Sequence, residues 1–204
     1  MKLHKWDNYE AYVEAQCHGS RRRAHRKPSA NELEFTRIAE YVGKNKHAHE
    51  LQIICHGARC GTEVKLFEEH LPGSQVVGTD LEPKDTERVI KWDFHKTKPE
   101  WVGAFDVVYS NSLDHSIKPL QCVRGWLGQL KPDGLLFVTW TFYSPLDERQ
   151  TLPYPGGDCF GAELSEYVKL MSYLGILRDL LWVPIGHGQV VLVTSPRPPK
   201  QKGK

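Results

Sequence analysis

The sequence predicts an α/β protein: a three-layer, doubly wound, mostly parallel sheet with helices on both faces. Three observations carry this. Short apolar runs alternate with segments whose apolar residues fall at helical spacing. A glycine-containing loop, GARCG from Gly57 to Gly61, joins the first such run to the first such helix. Two β-rich runs joined by IGHG close the chain as a hairpin, adding an antiparallel edge strand.

Each element has its own signal. Trp6 to Gln16 and Glu32 to Val42 read as amphipathic helices outside the sheet, with Trp6, Tyr9 and Tyr12 on one face of the first. Asn31 is placed to cap the second, and Glu34 stands at its capping-box position. LQIIC (Leu51 to Cys55) is a buried strand ending at the glycine loop. Glu63 to Leu71 is helical through Val64, Phe67 and Leu71. QVVGTD (Gln75 to Asp80), RVIKWD (Arg88 to Asp93) and AFDVVYS (Ala104 to Ser110) are the next three strands. Leu120 to Leu130 is a helix with Val123, Leu127 and Leu130 on one face. KPDG turns the chain into a fifth strand, Leu135 to Trp140. Ala162 to Leu174 is helical, and ILRDLLWVP and QVVLVTS form the closing hairpin.

Composition sets the frame. The chain has 204 residues, 40% apolar and 25% charged, which suits one domain with a real core. The expected division is a helical cap or lid over 1–46, a main domain over 47–196 and a disordered basic tail over 197–204. A net charge of +2 does not by itself argue for nucleic acid. Basic residues do cluster in RRRAHRK, Arg21 to Lys27, as a solvated segment or an anion-attracting one. The first residues contain no continuous apolar core, so no secretory signal is expected. No apolar run is long enough to span a membrane. Five cysteines without paired spacing fit a reduced, cytoplasmic interior.

The loop poses a choice between a cofactor cradle and a thiol–imidazole metal site. Open α/β sheets bind ligands beyond the carboxyl ends of their strands. Gly57 lets the backbone turn sharply there, Gly61 allows close passage at the helix start, and free N–H groups attract an anion. Asp80 ends the second strand, where an acid accepts from the ribose hydroxyls of an adenosine cofactor. Asp93 ends the third, placed to accept from an adenine amine, with Phe94 or Leu81 against the ring. Against this, Cys55, His56 and Cys60 lack the usual CxxC spacing, and Cys55 on a buried strand should point into the core. Cys17-His18 near His25 is no stronger, so no metal is expected. A nicotinamide dinucleotide would use Asp80 too, but the loop lacks GxGxxG, and a dehydrogenase usually needs a further substrate domain. No GxxxxGK[ST] exists.

VVGTDLEP, VIKWDFH, FDVVYSNSLDH and LKPDGLLFVTW, in that order, resemble the successive motifs of class I S-adenosylmethionine-dependent methyltransferases. The resemblance runs from Leu51 to Ser195. It implies seven strands in the order 3-2-1-4-5-7-6 with strand seven antiparallel, and S-adenosylmethionine as cofactor. It implies cofactor contacts from His56, Gly57, Ala58, Arg59, Gly61, Asp80, Leu81, Asp93, Phe94, Ser110 and Asn111. One departure stands out: the family's strand-one acid is Cys55 here, and the loop is GARCG rather than GxGxG. His56 or loop carbonyls are then expected to meet the cofactor's methionine amine, and Arg59 its carboxylate.

Methyl transfer asks the protein to align a nucleophile and remove its proton when needed. The acceptor site is expected above strands four and five, among Ser110, Asn111, Ser112, Asp114 and His115 and the aromatic run Trp140 to Tyr143. TLPYPGGDCF can roof it. His115, with an intrinsic pKa of about 6.5, is the candidate general base. No [DN]PP[YF] or Pro-Cys follows strand four, which argues against adenine-amine, glutamine-amide and cytosine-C5 acceptors. The Lys-Asp-Lys-Glu set of RNA ribose methylation has no counterpart. A hydroxyl or amine on a small molecule or glycan is the expected acceptor. The alternatives are a non-catalytic cofactor binder of the same fold, or a methyltransferase drawing RNA or another anion through segment 21–27.

Overall fold

The computed structural model describes residues 2–22, 30–46, 50–85, 87–141, 159–185 and 188–198. In chain order these form β1 (Lys2–Leu3), α1 (Tyr9–Arg22), α2 (Glu32–Asn45), β2 (Gln52–His56), α3 (Thr62–His70), β3 (Gln75–Asp80) and β4 (Val89–Lys91). Then follow β5 (Phe105–Ser110), α4 (Pro119–Gln129), β6 (Leu130–Thr141), β7 (Phe160–Gly161), α5 (Leu164–Leu174), β8 (Ile176–Val183) and β9 (Gln189–Ser195). Seven strands pair in the order β4-β3-β2-β5-β6-β9-β8. β2 to β6 run parallel, and β9 is antiparallel to both β6 and β8. Numbering only the strands of this sheet, with β2 first and β7 left out, this is the expected 3-2-1-4-5-7-6.

Burial explains the strand sequences. β5, FDVVYS, sits mid-sheet between two layers, and all six residues are buried, so it reads as a continuous run rather than an alternation. The edge strand β8 is mostly exposed, with Leu180 and Trp182 open to solvent. On one face, α2 and α3 pack Phe35, Ile38, Val42, Val64 and Phe67 against Ile53, Val107 and Phe137. On the other, α4 and α5 pack Val123, Trp126 and Met171 against Ile54, Val108 and Leu136. Each such side chain contributes roughly 1.5–3 kcal/mol by leaving water.

Several local expectations shift. α1 begins at Tyr9, not Trp6, because the Asn8 side chain accepts the Ala11 N–H at 2.8 Å and caps the helix there. Trp6 therefore precedes the helix whose face it was expected to share. Asn31 caps α2 as expected, accepting from the Glu34 N–H at 2.9 Å. The Glu34 side chain does not close the capping box: it turns into the core, where Tyr109 and Thr139 donate to it. KPDG is a bulge inside β6, since pairing jumps from Phe105–Leu130 to Val107–Leu135. β1 and β7 form an unexpected two-stranded sheet.

Of the two helices expected to cap the site, α2 belongs to a packing layer and α1 crosses the strand ends. Arg197, at the start of the expected tail, donates to the carbonyls of Ser172 and Tyr173 in the last turn of α5, at 2.7 and 3.2 Å. Residues 199–204 lie outside the described residues. At the amino ends of the strands, buried Lys46 lies 3.5 Å from Asp106 and 2.8 Å from Asp133, and Lys131 joins Asp106 at 2.8 Å. No described helix is long and apolar enough to cross a membrane.

Candidate functional site

β2 ends at His56, and the chain turns at Gly57 with φ +80° and at Gly61 with φ +69°, both in the region that favours glycine. The turn is anchored to β3, because the Gly57 and Ala58 N–H groups donate to the Thr79 carbonyl at 2.8 and 3.0 Å. A Cβ on Gly57 would stand 2.5 Å from Ser112 Oγ, and one on Gly61 2.9 Å from Asp85 Oδ2. The loop thus passes between the β5 turn and the segment after β3, with glycine where each comes closest.

Neighbouring side chains on β2 part company. Cys55 is fully buried toward α2 and α3. His56 faces the other layer, stacked on Trp126 at 5.3 Å and 17°. Its Nε2 donates to Gln129 Oε1 at 2.9 Å, and its Nδ1 accepts from Thr79 Oγ1 at 2.8 Å. Burial lowers the imidazole to about 4, outweighing the Gln129 bond, so the ring is neutral and structural. The expected contact from the His56 side chain is therefore not available to a cofactor; only its backbone faces the loop. A metal shared by Cys55 and His56 is ruled out by the same alternation. Among the described residues no group of three possible ligands comes together.

Asp80 stands at the end of β3, next to the loop. Its two carboxylate oxygens accept from the Glu82 N–H at 2.8 Å and the Arg59 N–H at 3.2 Å. Burial raises its pKa; those N–H bonds and the Arg59 and His115 charges work the other way. A carboxylate has about four acceptor positions, so two are open for ribose hydroxyls. Leu81 is half-buried beside it.

The Asp93 end is more crowded than expected. Oδ1 accepts from the His95 N–H at 2.9 Å and from Nδ1 at 2.7 Å, and Oδ2 accepts from the Tyr9 hydroxyl. Burial opposes ionisation, yet the His95 and Tyr9 bonds prevail and hold Asp93 at about 2. His95 Nε2 continues to Ser116 Oγ at 3.0 Å. Phe94 is a core residue, edge-on to Trp126 at 5.7 Å.

After β5, Ser110 Oγ donates to the His56 carbonyl at 3.0 Å and accepts the Ser112 N–H at 3.1 Å, tying the two strand ends together. Asn111 donates from Nδ2 to Glu63 Oε1 at 3.0 Å. His115 lies in a short 3-10 turn, Leu113–His115, near enough to Asp80 for its charge to act there. Trp140 is buried, its indole N–H donating to the Ala162 carbonyl at 3.0 Å. Phe142, Tyr143 and 144–158 lie outside the described residues, as do Arg23 to Lys27 of the basic run.

α1 lies over this ground. Besides the Tyr9–Asp93 bond, Tyr12 donates to the His115 carbonyl at 3.2 Å and Arg21 pairs with Glu82 at 3.1 Å. A cleft of about 400 Å³ runs between α1 and the ends of β3 and β4, lined by Tyr9, Cys17, Arg21, Glu82 and Lys91 among others.

Glu34 and Glu63 escaped sequence reasoning. Both are wholly or nearly buried, at 1% and 6% exposure, and burial raises both carboxyls. Glu63 stands two residues past Gly61, and its place in the sequence signals no more than that. Glu34 carried no signal, because a first-turn glutamate reads as a capping residue.

The strand order, the antiparallel β9 and the glycine loop below Asp80 define the fold of class I S-adenosylmethionine-dependent methyltransferases. The likeness extends over whole chains. A Burkholderia thailandensis 1,6-didemethyltoxoflavin-N1-methyltransferase, solved with its substrate and S-adenosylhomocysteine, superposes with a TM-score of 0.69 at 15% identity, over 95% of this chain and 91% of its own. A chain from the complex of the Haloferax volcanii Trm112 methyltransferase activator gives 0.66 at 12%, over 91% and 97%. The [4+2]-cyclase SpnF gives 0.58 at 15%, over 79% and 80%. No protein-family model and no curated protein matches the sequence.

Proposed function

We propose that this protein is an S-adenosylmethionine-dependent methyltransferase acting on a hydroxyl or amine acceptor, a small molecule or a glycan. The observation that carries it is Asp80, a strand-end carboxylate with two acceptor positions open, beside a loop turned by two left-handed glycines. These residues fit the cofactor. Asp80 would hold the ribose hydroxyls; the Gly57, Ala58, Arg59 and Gly61 N–H groups, expected to be free for an anion, are engaged within the protein, so the loop would meet the amino-acid end through its carbonyls. Asp93, with one position left on Oδ2, would take the adenine amine. When bound, the cofactor supplies an electrophilic methyl group.

The chain's own work is to hold the acceptor in line, exclude water and take a proton. We assign the proton to His115, which follows β5 in the short turn Leu113–His115. α1 acts as the lid, held by Tyr9, Tyr12 and Arg21 across the strand ends. Arg21 is thereby engaged with Glu82, which weakens the reading in which the basic run recruits RNA. A second reading has one supporting observation: a [4+2]-cyclase shares the fold, so the fold alone does not specify methyl transfer.

Calorimetry with S-adenosylhomocysteine tests the cofactor. Wild type and His115→Ala should bind it, and Asp80→Ala should lose about tenfold or more. Equal binding by wild type and Asp80→Ala would sink the reading. Turnover with an acceptor panel then separates an enzyme from a binder, and His115→Ala should lower turnover alone.

A further inference from the structure

We propose that Glu63 receives the ammonium of the cofactor's amino-acid end, replacing the carboxylate that Cys55 does not supply. The inference rests on the cofactor reading above and adds a named contact to it.

Glu63 is the second residue of α3, just past Gly61, where the loop delivers the chain back to the strand ends. An acid in a first helical turn is ordinary, since it complements the helix dipole from the surface. Glu63 is not at the surface: it is 6% exposed. It shares the α2–α3 side of the sheet with Cys55, and its charge is felt at that thiol, which burial and then Glu63 push well up. So a carboxylate does stand beside the end of β2, delivered from the helix and not from the strand.

Its partners are incomplete for a buried charge. Asn111 Nδ2 donates to Oε1 at 3.0 Å, and the remaining support is its own backbone N–H. No described lysine, arginine or histidine forms an ion pair with it, and Arg59 acts only from a distance. Asp80, a second carboxylate, lies near enough to oppose its ionisation. Buried carboxylates are normally paired with a cation. Here the cation is missing beside a glycine loop at the ligand-binding edge of the sheet, which is the chemistry that takes an ammonium. Asn111 then has a positioning role: it fixes Oε1 from the β5 turn, leaving Oε2 for the ligand.

The test uses three ligands on the full chain by calorimetry: S-adenosylhomocysteine, its deaminated analogue, and 5′-methylthioadenosine, which lacks the amino-acid end. Glu63→Gln keeps the shape and the Asn111 contact. It should weaken S-adenosylhomocysteine by about tenfold to a hundredfold, with 5′-methylthioadenosine unchanged. On wild type the deaminated analogue should lose a similar factor, and Glu63→Gln should weaken that analogue no further. Adding Cys55→Asp to Glu63→Gln should recover part of the loss. The proposal is overturned if Glu63→Gln weakens all three ligands alike, which marks a structural role, or weakens none. It is also overturned if loss of the ligand's amine and loss of Glu63 act additively. If wild type binds none of the three, the cofactor reading itself fails, a result separable from the others.

Discussion

Gly57 is the residue on which the loop turns. Its φ of +80° is open to glycine and costs an alanine roughly 1–2 kcal/mol. The alanine methyl would also meet Ser112 Oγ at 2.5 Å. Gly57→Ala should therefore lower the melting temperature and abolish S-adenosylhomocysteine binding. Adding Ser112→Gly removes the collision but not the backbone strain, so the melt should recover in part. Full recovery would mean that the turn is not strained, and no recovery that the collision was minor. One position earlier, the alternation of β2 settles the fate of ICHGARCG. Cys55 and His56 face opposite layers, so thiol and imidazole act as packing groups while the glycines behind them shape the site.

At the scale of elements, α1 is the piece whose placement has most to do with access. It meets the strand ends through side-chain hydrogen bonds from Tyr9, Tyr12 and Arg21. Tyr12 and Cys17 are also buried beneath it, yet a helix held by so few groups can open locally without global unfolding. Tyr9 donates to an ionised carboxylate, a bond worth about 1.5–3 kcal/mol. Tyr9→Phe should raise amide exchange in α1 by about tenfold or more while leaving β2 and β5 protected. Uniformly faster exchange would show α1 to be integral to the fold and not a lid. The same substitution frees a position on Asp93 Oδ2, so binding of S-adenosylhomocysteine should not weaken.

Across the whole molecule, two buried groups tie stability to pH in opposite senses. Burial raises Glu34 to about 7, against the pull of the Thr139 and Tyr109 hydroxyls. The folded state then holds a proton that the unfolded chain releases near pH 4–5. Its contribution is complete below that range and is lost as pH rises to about 7, a change on the order of 3–4 kcal/mol. Burial lowers His56 to about 4, so its contribution is complete above about pH 6.5 and is lost as pH falls toward 4. The two slopes offset one another in the wild type. Glu34→Gln should remove the opposing Glu34 slope, so its stability relative to wild type should grow from pH 4 to pH 7.5. Thermal melts across that range check it, and a constant difference would mean that Glu34 ionises as it does in the unfolded chain.

The seven-stranded sheet is legible in the sequence alone. The central strands are short apolar runs whose burial needs no knowledge of their neighbours, and the order of the motifs brings the parallel topology with it. The sequence also marked Asp80 and the glycine loop, because a turn that requires left-handed backbone writes itself as glycine. The directions of side chains at the strand and helix ends depend instead on contacts between elements distant in sequence. Glu34 looks like a cap until Tyr109 and Thr139, distant in sequence, offer it hydroxyls in the core. His56 looks like a ligand until Gln129 and Thr79 take both of its nitrogens. Glu63 looks like a dipole partner until its burial beside Cys55 is seen. Periodicity records which face a residue is on, whereas the partner that satisfies a buried polar group comes from wherever the fold brings one.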